Sequence, residues 1–167
     1  MALPGFEYPR TGVGVMVVRC GNRSPFEVLL GKRKGSHAAG EYAFPGGHLE
    51  NGESVEECAR REVREETGLE IVEVEYCFTA LIGLYAPEKH YVHIGVKCEV
   101  TPDAEPRLME PEKCEGWGWY NLHGWMPQPL MGPTALAIFE EDAARLGFYD
   151  LEVASNVIRA FRAMRCR

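Results

Sequence analysis

The run Gly47–Leu69, GHLENGESVEECARREVREETGL, constrains this chain more than any other stretch. Ser54-Val55-Glu56-Glu57 predicts a capping box, in which the Ser54 hydroxyl accepts from the Glu57 amide and the Glu57 carboxylate reaches back to the Ser54 amide. The helix it opens is expected over about 55–67, with Gly68 supplying a left-handed exit. On a helical wheel Val55, Cys58, Ala59 and Val63 form an apolar stripe, and Glu56, Glu57, Arg60 and Arg64 take the wet face. Pairs four residues apart suit Glu56 with Arg60 and Glu57 with Arg61. Glu62 and Glu66 fit no such pattern. They fall inside the apolar stripe, and Glu65 borders it next to Arg61. Like charges crowded on the side meant for burial are costly unless something cationic neutralises them. Carboxylate oxygens suit a hard divalent cation, Mg²⁺ or Mn²⁺, so the wheel predicts a metal site.

The spacing Gly47, five residues, Glu53, seven residues, Arg61-Glu62-Val63, one residue, Glu65-Glu66, one residue, Gly68-Leu69 matches the Nudix box at every defined position. A chance match at one start position is below about one in 10⁸. The chain therefore resembles the Nudix hydrolases. The resemblance implies an α/β fold, a Nudix-type α/β/α sandwich with a central mixed β-sheet. It also implies Mg²⁺-dependent hydrolysis of a nucleoside diphosphate linked to another group.

By the same likeness, Arg61, Glu62, Glu65 and Glu66 are the expected catalytic residues. The metal ligands would be Glu62, Glu65, Glu66 and the carbonyl of Gly46, just before the first box glycine. The family often adds a glutamate from the loop before the last strand. Glu112 is the choice here, ahead of Glu110 and Glu115. Glu53 and Arg61 match the pair that braces loop against helix. Family position also makes Phe44, Tyr91, His93 and the turn at Met131-Gly132 candidates for a base pocket, with the Gly47 backbone against the substrate. GKRKGS, FPGGHLENGES and MEPEKCEGWGWY resemble the MutT-like enzymes, especially the short eukaryotic type. That closer likeness implies conversion of nucleoside triphosphates, including oxidised or modified purines, to monophosphate and pyrophosphate. The box alone also fits ADP-ribose, a nucleotide sugar or an isoprenyl diphosphate, and a non-catalytic nucleotide sensor is a further alternative.

Lys32-Arg33-Lys34 is a basic run at a strand end, for which an exposed end and a phosphate site are both open readings. Arg33 is the preferred phosphate ligand because a planar guanidinium matches phosphate oxygens. The net charge of −7 and pI near 5.3 argue against a nucleic-acid polymer or an anionic membrane as partner. A bound cation can still reverse the field for a nucleotide. No signal peptide or membrane-length apolar run is visible, and six scattered cysteines without a C-x-x-C pair suit a reducing cytoplasmic setting. The oligomeric state is left open, a homodimer included.

A single domain is expected over 1–167, with its core at about 12–146. Strands are expected at about 12–18 and 27–33 as a hairpin, a short one at 42–47, and a long pair at about 70–84 and 91–100. A last strand carries Trp117 and Trp119 on one face. Pro133 opens a helix to about 146, and a C-terminal helix follows at about 151–165.

Overall fold

The computed structural model describes residues 9–19, 26–35, 38–86, 89–135 and 137–138, with the backbone alone over 76–86 and 89–90. The expected N-terminal arm, the turn over 20–25 and the C-terminal helix at 151–165 lie outside those residues, apart from Pro9 and Arg10. Residue 132 opens the helix announced by Pro133, followed here to residue 138.

The elements run β1 (Arg10–Arg19), β2 (Glu27–Arg33), β3 (Tyr42–Ala43), β4 (Gly46–His48), α1 (Val55–Thr67), β5 (Glu73–Ala86), β6 (Lys89–Glu99) and β7 (Cys114–Asn121). The sheet is mixed, ordered β3-β2-β1-β6-β5, with β4 paired to β1 and β7 to β2. β1 and β6 run parallel, and every other pairing is antiparallel. β1 gives one edge to two partners in turn. Val18 and Arg19 pair with β2, whereas Gly12, Val13 and Gly14 pair with β4. The site described below lies where β2 and β4 part.

β1 is apolar almost throughout because both its faces are covered. Val13, Val15 and Val17 meet Cys58, Ala59 and Val63 of α1, while Met16 and Val18 pack on the other side with Phe44, Leu122, Ala137 and Ile138. β2 divides likewise, Leu29 to the first cluster and Val28 and Leu30 to the second. Two cores on opposite faces of one sheet make the α/β/α sandwich. Trp117 and Trp119 pack against the α1-side core, on one face as expected.

One expectation changes. The strand over 42–47 is two strands, since Pro45 fixes its own φ and interrupts the ladder. Gly46, at φ +154, then crosses so close to the Val13 carbonyl that a Cβ would overlap it. Val96 and Cys98 of β6, and Val100 just after it, are buried, and the opposite face of the strand is also covered at Lys97, 8% exposed and paired with Glu75 at 3.0 Å.

Candidate active site

Helix α1 carries the site, and its caps fix its bounds. Glu57 N donates to Ser54 Oγ at 3.2 Å, and Ser54 N donates to Glu57 Oε2 at 2.7 Å. Gly68 closes the helix at φ 67. Both caps fall where the sequence placed them. Glu56 pairs with Arg60 at 2.9 Å. Glu57 does not pair with Arg61, because the cap already occupies its carboxylate. Arg61 instead binds Glu53 through Nε and Nη2, at 2.8 and 2.9 Å. Its Nη1 reaches Glu62 at 2.7 Å, and its Nη2 donates to the His48 carbonyl at 3.0 Å. The fork thus ties β4 and the loop after it to the helix. The Arg61 hydrogen bond is the main cause that lowers the Glu53 carboxyl to about 2.

Beyond Arg61 the pairing runs out. Gly47 has no side chain, and a Cβ there would overlap the Glu62 carboxylate, so strand and helix meet only because the position is glycine. Glu66 Oε2 accepts the Gly46 N–H at 3.1 Å. Burial nevertheless raises the Glu66 carboxyl to about 7, helped by the charges of Glu62 and Glu110 and opposed by Arg33. Its backbone is held as well. The Glu66 carbonyl accepts from Trp117 Nε1 at 3.1 Å and from Met109 N at 3.2 Å. These bonds dock the segment before β7 on the end of α1 and bring Glu110 beside Glu66. Gly31 makes room for Trp117, because a Cβ there would lie 2.6 Å from the indole ring.

A cleft of about 550 Å³ opens over this arrangement. One wall is acidic, with Glu62, Glu66 and Glu110. The rim is basic, with Arg33, Lys34 and Lys113. Phe44, Gly46, Gly47, His48, Glu112 and Trp117 also line it. Of the residues singled out from sequence, Arg33, Phe44, Gly46, Gly47, Glu62, Glu66 and Glu112 are brought together here.

Others are not. Glu65 points out of the cleft, 53% exposed, with Arg61 at 3.4 Å. It lies at the helix edge, whereas Glu62 and Glu66 face the sheet. Glu112 lines the cleft but is exposed; the loop instead turns Glu110 toward Glu66. Lys32 points to the other side of β2, where it pairs with Glu115 at 3.0 Å, as strand alternation requires. Gly132 opens the second-face helix and does not line the cleft. Tyr91 and His93 stack on each other at 5.5 Å, and His48 shares a 3.2 Å hydrogen bond with Tyr91. Gly12 lies opposite both His48 and His93 in the ladder, so this aromatic group borders the cleft only through His48.

Among the described residues no three His, Cys, Asp or Glu side chains form a ready-made metal cage. The donor chemistry still suits a hard divalent cation. Three carboxylates share one wall, burial and the charges of Glu62 and Glu110 disfavour the Glu66 anion, and Glu110 Oε2 is buried without a hydrogen-bond partner among the described residues. No helix among the described residues is long and apolar enough to cross a membrane.

A helix-flanked mixed sheet with an arginine-braced acidic helix at the mouth of a basic-rimmed cleft defines a three-layer α/β protein suited to holding a polyanion against carboxylates. The NUDIX domain model matches residues 9–139, and the chain belongs to that family. It is similar to the NAD-capped RNA hydrolase NudC of Pseudomonas putida, 32% identical over 83% of this chain, and to that of Pseudomonas aeruginosa, 34% identical over the same share. In each case the match covers 46% of the relative, so the chain spans about half the length of the curated relatives it matches. The crystal structure of a MutT NUDIX hydrolase from Burkholderia pseudomallei superposes with TM-score 0.66 at 32% identity, covering 80% of this chain and 98% of that one.

Proposed function

We propose that the chain is a divalent-cation-dependent pyrophosphohydrolase that converts a nucleoside triphosphate, purine or modified purine, to monophosphate and pyrophosphate. The observation that carries this reading is the pairing, in one cleft, of an acidic wall with the cations Arg33, Lys34 and Lys113. A highly charged polyphosphate gains from several nearby cations, whereas a neutral terminal sugar gains nothing from them.

Glu62, Glu66 and Glu110 would hold the metal, with the Gly46 carbonyl as a further donor. When bound, a divalent cation neutralises phosphate charge and makes water a better nucleophile at neutral pH. Arg33 binds phosphate oxygens through its guanidinium fork, and Lys34 adds a second charge. Arg61 orients Glu62 and fixes the Gly47 loop against the helix. The proton released by the attacking water passes to a carboxylate of the cleft, with Glu62 and Glu112 both placed there and Glu65 pointing away. A base would stack on Phe44, which lines the cleft, or on the ring group of His48, Tyr91 and His93, which borders it through His48.

A second reading has a specific observation in its favour. The similarity to NAD-capped RNA hydrolases suggests a dinucleotide diphosphate such as NAD, free or as an RNA cap. The acidic net charge weighs against the polymer. Steady-state assays with dGTP, a modified dGTP, NAD, ADP-ribose and NAD-capped RNA decide between them. The triphosphate reading expects the highest kcat/KM for dGTP or its modified form, with pyrophosphate released. A higher value for NAD or capped RNA would replace it while leaving the metal wall in place.

A further inference from the structure

We propose that Lys113 is a resident counter-cation for the acidic wall, which yields Glu110 to the divalent cation and turns to the phosphates of the substrate. It rests on the reading of Glu62, Glu66 and Glu110 as the cation-binding carboxylates. Its Nζ lies 2.8 Å from Glu110 Oε1, the partner oxygen of the buried Oε2 that no group among the described residues satisfies. That hydrogen bond is the main cause that raises the Lys113 ammonium, and the charges of Glu66 and Glu62 raise it further. The backbone beneath is fixed from two sides. Lys113 N donates to the Glu110 carbonyl at 3.0 Å, and its own carbonyl accepts from Lys34 N at 2.7 Å. The side chain, 63% exposed, can turn without disturbing either bond.

Lys34 cannot do the same. Its Nζ is tied to the Pro111 carbonyl at 2.8 Å, facing the loop and not the carboxylates. One ammonium therefore stands against the acidic wall from the basic rim of the same cleft. A divalent cation arriving at Glu110 competes directly with it. Once displaced, it stays on the rim of the cleft that would hold the polyphosphate.

Removing the charge should then move two affinities in opposite directions, which a packing role would not do. The probes are Mn²⁺ alone, followed by electron paramagnetic resonance without nucleotide, and inorganic tripolyphosphate in excess Mg²⁺, followed by calorimetry. Lys113→Gln should bind Mn²⁺ about two- to fivefold more tightly and tripolyphosphate about two- to fivefold more weakly, the scale of a half-exposed ion pair. Lys113→Arg should stay near the parent protein in both. An unchanged or weaker Mn²⁺ affinity in Lys113→Gln, or tripolyphosphate binding that does not weaken, overturns the inference alone. Failure of the parent protein to bind Mn²⁺, or an unchanged affinity in Glu110→Gln, overturns the assignment of the wall on which it rests.

Discussion

The two halves of α1 carry the same kinds of side chain to opposite ends. In the first half each acid with a described contact meets a donor: Glu57 the Ser54 amide, Glu56 Arg60, and Glu53, just before the helix, Arg61. In the last half Glu62 shares an arginine, and Glu66 has one amide and the charge of Arg33 against burial and two neighbouring carboxylates. Glu53 is lowered to about 2 and Glu66 raised to about 7. The helix dipole widens the contrast, because it favours acids near the first turn and opposes them near the last. Local pairing makes the first half a stable support. The second half holds charge that the apo fold does not need, and an incoming cation can use it.

The largest effect that could break this comparison is on turnover. Glu66→Gln keeps the shape and removes the charge, so hydrolysis should fall by about 10²–10³-fold, the loss typical of a principal electrostatic group. The apo protein should be as stable or more so, since a repulsion is relieved. Near-parent turnover in a phosphate-release assay would remove Glu66 from the cation site.

The titration of the two acids sharpens the contrast. An unfolded glutamate loses its proton near 4.5, but folded Glu66 keeps it to about 7. Its unfavourable contribution is therefore absent below 4.5, grows between 4.5 and 7, and levels off above 7 at about 3 kcal/mol. Glu53 works in the other sense, stabilising above 4.5 and losing that contribution as pH falls toward 2. Urea unfolding of metal-free protein should show Glu66→Gln gaining on the parent at pH 8 and matching it at pH 4. A constant difference across that range would mean that Glu66 does not titrate as placed.

Arg61 joins the two halves. Arg61→Ala leaves Glu53 and Glu62 facing each other without their shared cation and takes from the His48 carbonyl its guanidinium donor. The expected loss is about 2–3 kcal/mol in urea unfolding, because partly buried carboxylates lose a bidentate partner. A loss below about 0.5 kcal/mol would make the brace a surface contact of little consequence.

Much of this was legible in sequence because it is local. The caps of α1 depend on Ser54, Glu57 and Gly68, each within one turn of the end it closes. The two-faced burial of β1 follows from its unbroken apolar run, and the misfit of Glu62 and Glu66 from the wheel. What escaped depends on contacts distant in sequence. Glu110, Glu112 and Glu115 lie within six residues of one another, and only the docking of Met109 and Trp117 on Glu66 selects Glu110. Lys32 and Arg33 are adjacent, and only the pairing of β2 with β7 sends one to Glu115 and the other to the cleft. Lys113 gave no signal of its own. Tyr91 and His93 alternate correctly along β6, yet the parallel register beside β1 sets them against Arg10 and Gly12.

The smallest effect tests the supporting half by itself. Ser54→Ala deletes the acceptor for Glu57 N and leaves the Glu57 carboxylate able to reach the position 54 amide. Half of the capping box should survive, so the stability loss should be about 1 kcal/mol, as for other serine caps. The carboxylates of the cleft lie two and three turns away, and Arg61 is held by Glu53 from outside the helix. kcat/KM at temperatures well below unfolding should therefore stay within about twofold of the parent, since the cap's cost falls on folding and not on the site. A large fall in kcat/KM with only 1 kcal/mol lost would show that the first turn sets the position of Glu62 and Glu66, and that the two halves of α1 act as one unit.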